Sequence, residues 1–172
     1  QPSLRRRPLS PTRALVAAFA FVLAAVSCLP AAHAEDGHEL WLRYRQIEPA
    51  QADAYRADAS QLIAAQGSPT RNVARNELLR GLGGLLGASL PESDAVTRDG
   101  AIVMGTVASS PIISRLGLDL GKLGTEGYLI RSVTIEGHRS TVIAAREDIG
   151  VLYGAFHYLR LVQTGQSLEP LD

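Results

Sequence analysis

Cysteine is almost missing from this chain. The one cysteine among 172 residues is Cys28, so the sequence after it can hold neither a disulfide framework nor a thiol nucleophile. Net charge is missing as well, since 17 Lys and Arg balance 17 Asp and Glu. Without a basic stripe the chain is a poor ligand for nucleic acid, whose affinity rests on clustered Lys and Arg at phosphates. Paired metal ligands are lacking: His38, His138 and His157 stand in no His-x₃-His arrangement, and there is no Cys-x₂-Cys. There is no Gly-x-Ser-x-Gly elbow. Long apolar runs are lacking too. The longest uncharged one, residues 14–26, has thirteen residues and is short for a helix that crosses a bilayer.

That run has a meaning of its own. Arg5, Arg6, Arg7 and Arg13 precede it, and Ala32-His33-Ala34 follows it. A positive n-region, an apolar core and a small-x-small site form the pattern of a secretory signal peptide. Residues 1–34 are therefore expected to be removed, leaving an exported chain, periplasmic or extracellular, that begins at Glu35 and is not held in the membrane. Cys28, after Ala25-Val26-Ser27, lacks the Leu three residues earlier that a lipid-attachment site would have. Residues 35–172 hold 13 Lys and Arg against 17 Asp and Glu, a net charge of −4. They suffice for one domain with an adequate core.

The pattern along residues 35–172 alternates. Residues 39–44 have strand composition, with Leu40, Leu42 and Tyr44 on one face and Trp41 on the other. Pro49 suits the first turn of a helix over residues 50–59. Residues 61–65 either continue that helix or form a short strand. Ser68-Pro69 marks a helix start, and Val73, Ala74, Leu78, Leu82, Leu85 and Leu86 make its apolar stripe. Gly87 is the expected C-cap. Residues 101–107 read as a buried strand, and Ser110-Pro111 opens a short helix to about Leu116. Residues 128–135 and 140–145 read as a hairpin, turned by Glu136-Gly137-His138-Arg139. Glu147-Asp148 opens the last helix, with acidic groups favoured at its N-terminus. The order is β-α-(β)-α-β-α-β-β-α. It predicts an α/β (α+β type) domain, a mixed sheet layered with helices.

Chemistry is harder to find. Gly81-Leu82-Gly83-Gly84-Leu85-Leu86-Gly87 is glycine-rich, but a phosphate cradle needs a strand before it and a helix starting after it, and no Gly-Lys-Ser/Thr follows. Trp41 could stack on a sugar ring or belong to the core. Adjacent Glu147 and Asp148 point about 100° apart on a helix and cannot face one another across a substrate. No residue is assigned a catalytic, cofactor-binding or metal-binding role, and no cofactor is implied.

The last helix is the exception in its composition. Ile149, Leu152, Phe156, Leu159 and Val162, helped by Ala155, make a stripe that should cover the sheet. Gly150, Gly154, His157 and Leu161 lie on a second line. Glycine inside a helix costs roughly 0.5–1 kcal/mol relative to alanine, so two of them imply close approach by another backbone or a bulky group. The second line is expected to be a docking face, for a further domain or for self-association, unless the strand after the hairpin or another helix of this domain fills it.

Three stretches carry a resemblance: residues 36–44 (Asp-Gly-His-Glu-Leu-Trp-Leu-Arg-Tyr), residues 77–87, and residues 148–160 continuing to Gln163-Thr164-Gly165. Together, in this order, they resemble the N-terminal domain of the secreted bacterial α-glucuronidases of glycoside hydrolase family sixty-seven, over nearly all of residues 35–172. The resemblance implies the α/β domain that precedes catalytic barrels in several glycosidase families, β-hexosaminidases included. It implies a whole enzyme that removes 4-O-methylglucuronic acid from xylan-derived oligosaccharides with inversion. The two carboxylates of such an enzyme would belong to the barrel, which needs at least about 200 residues and which residues 35–172 do not contain. The barrel is then the expected partner of the face of Gly150, Gly154, His157 and Leu161, and the chain alone is expected to be inactive. A free-standing secreted module that binds a glycan or a protein is the alternative.

Overall fold

The computed structural model describes residues 44–168. Four helices and four strands lie among them: α1 Pro49–Asp58, β1 Gln61–Ala64, α2 Pro69–Leu86, β2 Ala101–Thr106, α3 Pro111–Arg115, β3 Tyr128–Ile135, β4 His138–Ala145 and α4 Asp148–Gln163. The signal segment with Cys28, His38 and the strand expected around Trp41 lie outside the described residues, except that Tyr44 itself is in no strand. The alternative left open at residues 61–65 falls to a strand.

Local sequence accounts for most boundaries. Ser68 Oγ accepts the backbone N–H of Arg71 at 3.1 Å, and Ser110 Oγ that of Ile113 at 3.3 Å. Each serine is followed by a proline whose fixed φ suits the first helical position. Gly87 ends α2 at φ 65°, where a side chain would be strained. The hairpin turn is tighter than expected. Its two turn residues are Glu136 at φ 53° and Gly137 at φ 87°, and two positive φ values in a two-residue turn match the twist of the flanking strands. His138 and Arg139, expected in that turn, therefore open β4.

The sheet order is β1-β2-β4-β3. β1 with β2 and β2 with β4 pair in parallel, and β3 with β4 antiparallel. On one face Leu62, Ile102, Met104, Ile143 and Ala145 meet α1, α2 and α4 through Tyr55, Leu78, Leu82, Leu85, Val151, Tyr158 and Leu159. The opposite face, with Ile63, Val103, Val142 and Ala144, is covered by Ile113 of α3 together with Val96 and Leu120. Cover on both faces explains why β2 is buried along its whole length and reads as a continuous apolar run. The outer edge of β1 is also covered: Leu62 N–H donates to Pro91 O at 2.9 Å and Ser93 N–H to Leu62 O at 3.0 Å. β3 forms the other edge.

α2 and α4 lie side by side and run parallel. Arg71 pairs with Asp148 at 3.0 Å near their N-termini, and ten residues along α2 the Leu159 side chain fills the space above Gly81. One detail of the expected stripes is corrected here. Val73 is 52 % exposed, because the packed arc of α2 runs through Ala74, Glu77, Leu78, Gly81, Leu82 and Leu85. The opening of α4 is the expected one, with Glu147 at the N-cap and Asp148 in the first turn. Glu147 makes no side-chain cap hydrogen bond, and Asp148 also ties α4 to α2.

Candidate functional site

The last helix answers the question its composition raised. Its buried arc is Gly150, Val151, Gly154, Ala155, Tyr158, Leu159 and Val162. A Cβ on Gly150 would strike the backbone carbonyl of Gly127 and would lie 2.8 Å from the Cβ of Ala145. One on Gly154 would lie 2.6 Å from Ile143 Cγ2 and 3.4 Å from the Cβ of Tyr128. Both glycines are thus seats for the hairpin β3–β4 and its approach. Of the face of Gly150, Gly154, His157 and Leu161 expected to receive a barrel, the two glycines are occupied by the domain itself, while His157 is exposed and Leu161 half-buried. His157 Nδ1 lies 2.9 Å from the Tyr128 hydroxyl, ring edge to face at 5.6 Å, and Leu161 packs against the core. The inference that two helical glycines require close approach holds, and the choice of neighbour is corrected. The apolar stripe is rotated accordingly: Leu152 and Phe156, expected at its centre, are only half-buried, and Ile149 is too.

The glycine-rich stretch of residues 81–87 lies within and just after α2, so it offers no free N–H groups to a phosphate. Its glycines also serve close packing. A Cβ on Gly84 would stand 2.6 Å from Tyr44 O, and one on Gly81 would stand 3.1 Å from Tyr44 Cζ. The Tyr44 hydroxyl donates to Glu77 Oε1 at 2.5 Å, Arg80 Nη2 donates to both oxygens of the same carboxylate at 2.9 and 3.0 Å, and the Arg80 guanidinium stands 5.7 Å from the Tyr44 ring. Burial first, and then the hydrogen bond to the Glu77 carboxylate, push the Tyr44 phenol well above its ordinary value.

A polar cluster and a cleft lie at the end of the sheet where β2 and β4 begin. Asp99 accepts the Arg139 backbone N–H at 3.1 Å and lies 3.3 Å from His138 Nδ1 and 3.5 Å from Arg139 Nε. The Arg139 N–H foremost, then the His138 and Arg139 side chains, hold its carboxyl below the usual range. His138 belongs to this cluster. Beside it a cleft of about 540 Å³ is lined by Asp58, Gly100, Ser132, Thr134, Arg139 and Thr141. Asp58 is the one carboxylate among its described lining residues. Glycoside hydrolysis uses two, about 5–5.5 Å apart for retention or about 6.5–9.5 Å for inversion, so the cleft lacks that pair among the described residues. No group of three or more His, Cys, Asp or Glu there could hold a metal ion, and no described helix is long and apolar enough to cross a membrane. The Asp99 cluster and the Tyr44 seat were not foreseen; Asp99 lies 39 and 40 residues from its partners, beyond any local pattern.

Comparison with known proteins adds the missing context. Residues 40–158 match the family described as "Glycosyl hydrolase family 67 N-terminus". The chain is 32 % identical over 148 residues to a probable α-glucuronidase A of Neosartorya fischeri, covering 84 % of this chain and 17 % of that protein. It is 31 % identical over 149 residues to a probable α-glucuronidase A of Aspergillus fumigatus, with the same coverage. The chain therefore spans about a sixth of the length of these relatives. Among solved structures, a family GH115 4-O-methyl-α-glucuronidase with specificity for decorated arabinogalactans aligns with a TM-score of 0.49 at 24 % identity, over 59 % of this chain and 13 % of that one.

Proposed function

The chain belongs to the family of glycosyl hydrolase family 67 N-terminal domains, and from that premise we propose that it is the accessory domain of an α-glucuronidase that removes (4-O-methyl)glucuronic acid from xylo-oligosaccharides. The observation that carries this reading is the match to α-glucuronidases over 84 % of the chain but only 17 % of the relative. The domain's partner is then the catalytic portion of such an enzyme, and the domain alone releases no sugar. Purified protein incubated with glucuronic-acid-substituted xylo-oligosaccharides tests it. The expected result is no release of acid above buffer. Turnover that follows the protein through successive purification steps would overturn it.

Export belongs to the same proposal. It is supported by Arg5, Arg6, Arg7 and Arg13 before the apolar run and by Ala32-His33-Ala34 after it. N-terminal sequencing of secreted material is expected to begin at Glu35. A lipid-modified Cys28 at the mature terminus would show a different signal type.

A further inference from the structure

We propose that the cleft beside β3 and β4 is a non-catalytic carbohydrate subsite, one that takes a segment of a hydroxyl-rich glycan. The hairpin changes character along its length. On the sheet face that carries α1, α2 and α4, its residues stand opposite one another as Tyr128–Ala145, Ile130–Ile143, Ser132–Thr141 and Thr134–Arg139. The first two pairs are apolar and lie in or against the buried core. The last two pairs are polar, and they line the cleft together with Gly100 and with Asp58, the last residue of α1.

A hydroxyl with nothing to bond points the same way. Thr141 is only 6 % exposed, and its side-chain oxygen makes no hydrogen bond among the described residues. Buried polar groups nearly always have a partner. The Thr141 hydroxyl is not enclosed as that of Tyr158 is. It borders the cleft, and a partner can reach it from there. Opposite it, the Ser132 hydroxyl donates to Leu168 O at 3.3 Å, which holds that side of the wall in place. Thr134, at the mouth, is exposed.

The lining selects the ligand. The hydroxyls of Ser132, Thr134 and Thr141 can each donate and accept, the Asp58 carboxylate accepts, and the Arg139 guanidinium donates. An anion would meet Asp58, a cation would meet Arg139, and an apolar group would leave the Thr141 hydroxyl unpaired. Neutral hydroxyls, each donor and acceptor at once, suit all of these groups. The volume of about 540 Å³ falls within the about 300–1,000 Å³ of small-molecule sites. No aromatic ring stands among the described lining residues, so binding rests on hydrogen bonds and is expected in the millimolar range. The subsite rests on the cleft alone. The choice of a xylan-type chain as its ligand rests on the α-glucuronidase reading above.

Amide resonances of the purified chain, titrated with xylotetraose and separately with cellotetraose, test the subsite. Shifts at millimolar sugar are expected to gather at Gly100, Ser132, Thr134 and Thr141. Thr141→Val should weaken binding several-fold while the melting temperature holds or rises, because it keeps the shape and removes an unpaired hydroxyl. A purely structural role would not separate those two readouts. Thr134→Val, at an exposed position, decides the matter if Thr141→Val fails to fold. Binding of cellotetraose there without xylotetraose would uphold the subsite and count against the xylan reading. Shifts that gather elsewhere, binding that neither valine variant weakens, or no shift with either sugar would overturn the subsite. The accessory-domain proposal, tested by release of acid, would be untouched by that result.

Discussion

Glycines in one helix can have opposite worth, and α2 and α4 show why. Gly83 has nothing nearer to its would-be Cβ than Ala88 O at 3.9 Å, an ordinary contact. Its loss of backbone freedom on folding is uncompensated, so Gly83→Ala should stabilise by about 0.5–1 kcal/mol. Gly150→Ala gains a similar amount of helix propensity, but its Cβ meets the backbone of Gly127 and the side chain of Ala145. Overpacking typically costs about 1–3 kcal/mol, and a backbone carbonyl cannot swing aside as a flexible side chain can. Net destabilisation is expected, and urea midpoints of the two variants should move in opposite directions. Tyr158 supplies a third case. It is wholly buried, its hydroxyl has no hydrogen-bond partner among the described residues, and burial pushes its phenol well above the ordinary value. Burying an unsatisfied hydroxyl costs about 1–3 kcal/mol. Tyr158→Phe should therefore leave stability unchanged or raise it; a melting temperature lowered by several degrees would mean that the hydroxyl is satisfied.

At the scale of elements, one carboxylate adds to the β2–β4 ladder in tying the hairpin to the rest of the sheet. Asp99 bonds the first residues of β4, while its neighbour Gly100 donates to Arg139 O at 2.8 Å. A carboxyl held below its unfolded value stabilises above that value, about 3.9 for Asp. The contribution disappears as pH falls through the lower folded value. Stability is thus expected to drop more steeply below about pH 4 in the unaltered protein than in Asp99→Asn, and the variant should be the weaker of the two near neutrality. Urea titrations from about pH 6 down to about pH 3 would show this. Parallel slopes would mean that the carboxylate contributes nothing. The site is exposed and therefore screened by salt, so low ionic strength favours detection.

For the whole molecule, both faces of a single sheet are covered by elements drawn from most of the described chain. The two buried clusters share strands β1, β2 and β4, so neither should melt while the other persists. A single cooperative transition is expected, with far- and near-ultraviolet signals coincident. Two separated transitions would show that the α3 layer is a distinct unit. Cooperative folding of these elements suits a domain that precedes a larger catalytic portion, the role proposed for it.

The sequence by itself determined the boundaries that depend on neighbouring residues. Ser68-Pro69 and Ser110-Pro111 start helices because a serine oxygen and a fixed proline φ act within one turn. Gly137 turns a hairpin because its backbone alone admits the required φ at little cost. The mixed α/β class followed from the order of these elements, and the family followed from motifs near the two ends and the middle of residues 35–172. Periodicity also located an apolar side on α2 and on α4, but not its centre. Val73 satisfies the spacing and is still exposed, and Phe156 is only half-buried, because the neighbours of each helix decide which arc is packed. Only the tertiary structure decided those neighbours. It set β3 and β4 against Gly150 and Gly154, Tyr44 against Gly81 and Gly84, and Asp99 against the start of β4. Each pair is joined across a chain separation at which no local propensity acts, and what selects it is the close packing of the assembled sheet and helices.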